Sequence, residues 1–169
     1  MHKLLFIITL SLSLYSASLS KSGNNLGVSG LFSQSNVTMG LKLGSASIGN
    51  ETYTIGGLSV NYFVLDGLSV GLGYENWFSG EPGIQKLTAE STYFIPASKS
   101  IRPYLGLLYR RILISGFDDT NAYGYRAGLA FVRGKLLLSA GVVQERYDST
   151  GLFLKETQTY SEFTVGFAF

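Results

Sequence analysis

The sequence predicts an all-β fold, an eight-stranded antiparallel transmembrane β-barrel with short turns at one end, and three observations carry that expectation. Eight segments alternate apolar with small or polar residues at period 2, the repeat of a strand whose two faces meet different surroundings. The composition is apolar and β-forming, with 46% hydrophobic against 14% charged residues, and with 21 Gly, 11 Tyr and 11 Phe in 169 residues. No stretch after the opening residues stays apolar for the ~18 residues of a membrane helix, so any crossing of a bilayer uses strands.

Residues 1–20, MHKLLFIITLSLSLYSASLS, read as a signal peptide that is cleaved on export. Lys3 gives the positive start, Leu4 to Tyr15 the apolar stretch, and Ser16, Ala17 and Ser18 the small residues, with cleavage expected near Ser18 or Ser20. The apolar part is shorter than the ~20 residues that span a membrane. Residues 21–169 are then the barrel domain. Loss of the leader removes Lys3 from the chain's 13 basic residues and also His2, its single histidine, leaving a near balance with 11 acidic residues. No basic excess points to nucleic acid. The chain has no Cys, so its stability comes without disulfides.

The segment Leu26 to Phe32, LGVSGLF, reads as a lead-in or an extension of strand one, because a ninth strand would put one terminus on the wrong side. Strand one is expected at 36–46, with Gly40, Lys42 and Gly44 on its polar face, and strand two at 52–64 with Gly57 there. Strand three, at 67–78, sets Leu68, Val70, Leu72, Tyr74 and Phe78 against Ser69, Gly71, Gly73 and Glu75. Strand four, at 84–95, carries Lys86 and Glu90 on its polar face; strand five, at 101–115, carries Gly106 and Arg110; strand six, at 121–132, carries Arg126 and Gly128. Strand seven, at 135–147, sets Leu136, Leu138, Ala140 and Val142 against Ser139, Gly141 and Glu145, and strand eight, at 157–169, sets Phe163, Val165, Phe167 and Phe169 against Glu162, Thr164, Gly166 and Ala168. Each is about as long as the ~10 residues a tilted strand needs to cross a bilayer. The connections LDG, PASKS and RGK are compact, whereas GNE, SGEPG, GFDDTN and DSTGLFLKE are longer or more acidic. Short turns at one end and longer loops at the other are the habit of membrane barrels.

Period 2 does not say which face points out, since a soluble ligand-binding barrel alternates in the same way. Glycine decides it. The glycines named above fall on the polar face, where a narrow lumen needs small side chains and a solvent-facing strand would gain nothing from them. The same face collects Lys42, Lys86, Arg110 and Arg126 with Glu75, Glu90, Glu145 and Glu162, four charges of each sign. Inside an eight-stranded barrel such charges must be paired, so they are expected to form a plug of ion pairs rather than to line an open pore. Aromatics near strand ends, including Tyr62, Phe63, Trp77, Phe78, Tyr93, Phe94, Tyr109, Tyr123, Tyr125, Tyr147 and Tyr160, suit two interfacial girdles.

Three stretches make the chain resemble the small outer-membrane β-barrel family of the OmpA/OmpX type. LSVNYFVLDGLSVGLGYENW (Leu58 to Trp77) is similar to the family's second strand, tight turn and third strand, YFIPASKSIRPYLGLLY (Tyr93 to Tyr109) to its next inner turn, and the C-terminal strand to its closing strand. The resemblance implies an assembly signal read by the barrel-assembly machinery, carried here by Glu162, Phe167 and Phe169, with Thr164 standing where the family usually has glycine. It also implies residence in a Gram-negative-type bacterial outer membrane, among lipid and lipopolysaccharide.

The functional expectation is a non-enzymatic barrel with a structural or surface-interaction role and a lumen plugged by ion pairs. A narrow channel or small-ligand carrier is the alternative, and a lipid-modifying enzyme a further one. No catalytic, cofactor or metal residue is assigned. A serine nucleophile needs a base, and residues 21–169 contain no histidine. The two adjacent aspartates of FDDT (Phe117 to Thr120) lack the spaced oxygen ligands of a calcium loop. Glu51, Glu81, Asp118, Asp119, Asp148 and Glu156 are expected in outer loops with Lys155, while Lys99, Arg102, Arg133 and Lys135 lie near inner turns. Arg111 and Arg146 are candidate contacts for lipid phosphates, and any external ligand is left unnamed.

Overall fold

The structure is a computed structural model that describes residues 30–48, 50–98, 100–148 and 156–168. The predicted leader, the first part of the lead-in, Lys99, Lys155 and Phe169 lie outside the described residues. Eight strands follow one another: β1 (Val37–Ile48), β2 (Glu51–Leu65), β3 (Leu68–Phe78), β4 (Ile84–Phe94), β5 (Ile101–Ile114), β6 (Thr120–Arg133), β7 (Leu136–Tyr147) and β8 (Thr157–Ala168). Their ends agree with the sequence reading to within two residues. Every strand pairs antiparallel with its sequence neighbour, and β1 also pairs with β8, Met39 opposite Phe167 and Leu43 opposite Phe163, so the sheet closes into a barrel without free edges.

Alternation sorts the side chains cleanly. Leu41, Leu58, Leu72, Leu87, Leu105, Leu107, Leu129, Leu138, Val142 and Phe163 stand exposed on the outside, forming an apolar belt around the barrel. Leu72 is 70% and Leu107 69% exposed, a degree of exposure that water would penalise on this many large side chains and that hydrocarbon would not. Lys42, Glu75, Lys86, Glu90, Arg110, Arg126, Glu145 and Glu162 of the same strands turn inward and are buried. The polar face is therefore the inner one.

At the inner end the β2–β3 connection is only Asp66 and Gly67, and Gly67 has φ +79°, a conformation that glycine adopts without strain. This turn receives the lead-in. Gly30–Phe32 is a short 3-10 turn rather than a strand, and it tucks Leu31 and Phe32 into the inner mouth. The Gly67 amide donates to the Phe32 carbonyl at 2.8 Å, the Ser35 amide to the Phe63 carbonyl at 2.8 Å, and the Gln34 amide to Asp66 Oδ1 at 2.8 Å. The Phe32 ring packs against Phe63 and Phe94 with centroids 5.6 and 4.7 Å away, so the segment acts as a cork.

Candidate functional site: the filled lumen

Four layers fill the barrel from its inner to its outer end. The innermost is apolar, built from Phe32, Phe63, Phe94, Tyr104, Val132 and Leu137. Tyr104 lies across Gly128 and Gly141, which are paired on β6 and β7; a Cβ on either glycine would collide with its hydroxyl, so the two bare positions make room for the ring. Above this comes a belt of hydroxyls, including Thr38, Ser59, Ser69, Thr92, Ser139 and Thr164. Next are the charges. The outermost layer is again apolar, with Tyr53, Ile55, Trp77, Ile84, Ile112, Ile114, Tyr147 and Tyr160.

The structure brings all eight sequence-predicted lumen charges into one connected lattice. Lys42 Nζ lies 2.8 Å from Glu90 Oε2 and 3.7 Å from both Glu75 Oε1 and Glu162 Oε2. Arg110 reaches Glu75 through Nη2 and Glu145 through Nη1, each at 3.0 Å, and Arg126 Nη1 lies 2.8 Å from Glu90 Oε2 and 3.3 Å from Glu162 Oε1. Lys86 donates to Glu145 and completes the set. Four cations meet four carboxylates with every side chain at most 6% exposed, so each charge has a counter-charge at the depth where desolvation is most costly.

Several lumen partners were not among the predicted charges. The Tyr147 hydroxyl lies 2.7 Å from both Glu145 Oε1 and Gln158 Oε1, Tyr160 accepts from Arg110, and Lys86 Nζ sits 3.9 Å above the Trp77 ring. Trp77, Tyr147 and Tyr160, with Phe63 and Phe94, are thus inside the barrel and not in the interfacial girdles suggested by their places near strand ends. The reason is volume: the lattice occupies only the middle of the lumen, and both ends need large apolar groups to exclude water. Tyr62, Phe78, Tyr93, Tyr109, Tyr123 and Tyr125 do face outward. Arg102 is likewise buried, its guanidinium 4.6 Å from the Phe32 ring centroid, and not a surface charge beside the inner turn. Of the predicted assembly signal, Glu162 belongs to the lattice and Phe167 is exposed on the outer face, while Phe169 lies outside the described residues.

No protein-family model matches the chain, and no curated protein matches it. Solved structures do. The N-terminal β-barrel domain of Pseudomonas aeruginosa OprF is similar with a TM-score of 0.60 and 18% identity, over 80% of this chain and 98% of that one. Neisserial surface protein A is similar with a TM-score of 0.62 and 16% identity, over 79% of this chain and 96% of that one. The fold is that of a small outer-membrane β-barrel. The outer-membrane enzyme PagL shares it too, with a TM-score of 0.51 and 19% identity over 76% of this chain and 98% of that one. An outer-membrane barrel of this kind therefore supports more than one role, and only the lumen and the surface of this chain can argue for its own.

Among the described residues no group of three or more His, Cys, Asp or Glu side chains is arranged to hold a metal ion. Each lumen glutamate instead has a lysine or arginine nitrogen within 4 Å.

Proposed function

We propose that the protein is a non-enzymatic outer-membrane barrel with a structural or surface-interaction role, and that it conducts nothing across the membrane. The observation that carries this reading is the self-neutralising lattice of Lys42, Lys86, Arg110, Arg126, Glu75, Glu90, Glu145 and Glu162, closed below by Phe32, Phe63 and Phe94 and above by Trp77, Tyr53 and Tyr160. A path for solute would have to break ion pairs in a low-dielectric interior and displace aromatic rings at both ends. Catalysis has little to start from. Residues 21–169 contain no histidine to activate a serine, and the ammonium groups of Lys42 and Lys86 engage glutamates. Planar-bilayer recording tests the reading: the folded barrel leaves the membrane without single-channel steps, and reproducible steps would favour a channel.

What the surface offers is a basic and aromatic patch at the outer end of β5 to β7. Tyr109 stands opposite Tyr123, and Tyr123 opposite Arg146, with Arg111 opposite Asn121 beside them. Both tyrosines and both arginines named here face outward, Arg111 lying 2.8 Å from Asp119 and Arg146 bonded to Glu156. Exposed pairs of this kind are worth only ~0–1 kcal/mol and exchange partners readily, so a lipid phosphate can replace the carboxylate. Lipopolysaccharide binding that falls in an Arg111→Ala, Arg146→Ala double variant supports this contact; equal binding counts against it.

A further inference from the structure

The outward face of the barrel changes character near the outer ends of three strands around the closing seam. On β8 the outward positions beyond Phe163 are Ser161, Thr159 and Thr157, and on β1 those beyond Leu43 are Ser45 and Ser47. On β2, Thr54 and Thr52 follow Leu58 and Gly56. Every one of these hydroxyl side chains is exposed. The register sets them side by side, Ser45 opposite both Ser161 and Thr54, and Ser47 opposite Thr52 with the two hydroxyls 3.5 Å apart. Gln144 of β7, opposite Thr159, extends the row. The far wall differs: Phe78 closes β3, and exposed Leu87 and Tyr123 stand within a turn's reach of the outer ends of β4 and β6, so the apolar belt climbs further there than along β8, β1 and β2.

We propose that this hydroxyl wall is a docking surface for the neutral headgroup sugars of an outer-leaflet glycolipid. The inference rests on the surface-interaction reading and adds to it a contact that uses neither Arg111 nor Arg146. A serine or threonine hydroxyl both donates and accepts, and so does each hydroxyl of a sugar, so the two surfaces can pair group for group. Acyl chains offer these side chains no partner, which puts the wall above the hydrocarbon while the far wall is still within it. Phosphate is the wrong ligand, because the wall carries no cation and Arg146, opposite Thr157 at its edge, already engages Glu156. A second copy of the chain fits poorly as well. Short side chains on a convex barrel bury far less than the ~1,200 Å² at which stable protein contacts begin.

The chain has no cysteine, so single nitroxide labels can be attached to the full barrel through Ser45→Cys and Thr159→Cys on the wall and Leu87→Cys on the far side. Heat-modifiable gel mobility selects the closed barrels. In phospholipid vesicles a water-soluble nickel chelate should relax both wall labels, and dissolved oxygen the Leu87 label. Lipopolysaccharide added to the vesicles should then take away most of the mobility of the wall labels relative to the Leu87 label. Lipopolysaccharide stripped of its phosphates should do the same, and so should the intact lipid with the Arg111→Ala, Arg146→Ala variant, so a failed phosphate contact leaves this result standing. Four results would each overturn the proposal: wall labels reached by oxygen and not by the chelate, mobility that lipopolysaccharide does not change, equal slowing by its released oligosaccharide in solution, or spin–spin broadening between copies, which would assign the wall to a second copy.

Discussion

Lys42 on β1 places its Nζ 2.8 Å from Oε2 of Glu90 on β4, so two strands that are not neighbours in the sheet are joined through the middle of the barrel. Glu90 Oε2 is shared with Arg126 of β6 at the same distance. One carboxylate oxygen thus holds two cations. Removing it by Glu90→Ala strands both in a buried site, and the expected loss is about 3–5 kcal/mol of folding free energy. Urea titration of the variant in lipid vesicles measures it. The double variant Lys42→Met, Glu90→Ala should lose less than the sum of the two single variants, because it removes a neutral pair from the lattice. Additive losses would mean that the two side chains do not interact.

Trp77 provides a second, independent reading of the lumen, since the chain has a single tryptophan. Its side chain is 2% exposed, with Tyr53 and Tyr160 at centroid distances of 5.7 and 5.6 Å. Its fluorescence in vesicles should be insensitive both to acrylamide and to lipids brominated along the acyl chain. Strong quenching by the brominated lipid would put Trp77 in an interfacial girdle after all.

Leu72 tests the opposite face. It lies at the middle of β3 with neighbours Val60 on β2 and Ala89 on β4, all turned outward. Leu72→Arg should cost about 2–4 kcal/mol in a bilayer, the penalty for arginine at the midplane of the hydrocarbon. A folding free energy in lipid that does not change would show that this side of the sheet meets water.

How much of this was legible in the sequence depends on what alternation can encode. Parity along a strand assigns a face, which is why Lys42, Glu75, Lys86, Glu90, Arg110, Arg126, Glu145 and Glu162 could be grouped before any geometry was known. Trp77, Tyr147 and Tyr160 share that parity, each standing two residues from Glu75, Glu145 or Glu162, yet their places near strand ends drew them to the girdles. The alternation was the stronger signal there. Arg102 is the same case, in step with Tyr104 and Arg110 but close to a turn. Which cation meets which carboxylate was not legible, because it depends on the stagger between strands that is fixed only when β1 closes on β8. The lead-in was legible only as not being a ninth strand, and the alternative of an extension of strand one is replaced by the 3-10 turn at Gly30–Phe32. Its capture by the Gly67 turn rests on backbone hydrogen bonds, and those leave no periodic trace in the residues.

The central claim is that an apolar belt faces hydrocarbon while the charges neutralise one another inside. Refolding the chain from urea into lipid vesicles and, separately, into buffer without lipid or detergent tests it most directly, with heat-modifiable gel mobility and circular dichroism as the readout. Closed β-barrel is expected only where lipid is present, with aggregation in plain buffer. A monomeric, native β-protein in plain buffer would contradict the account.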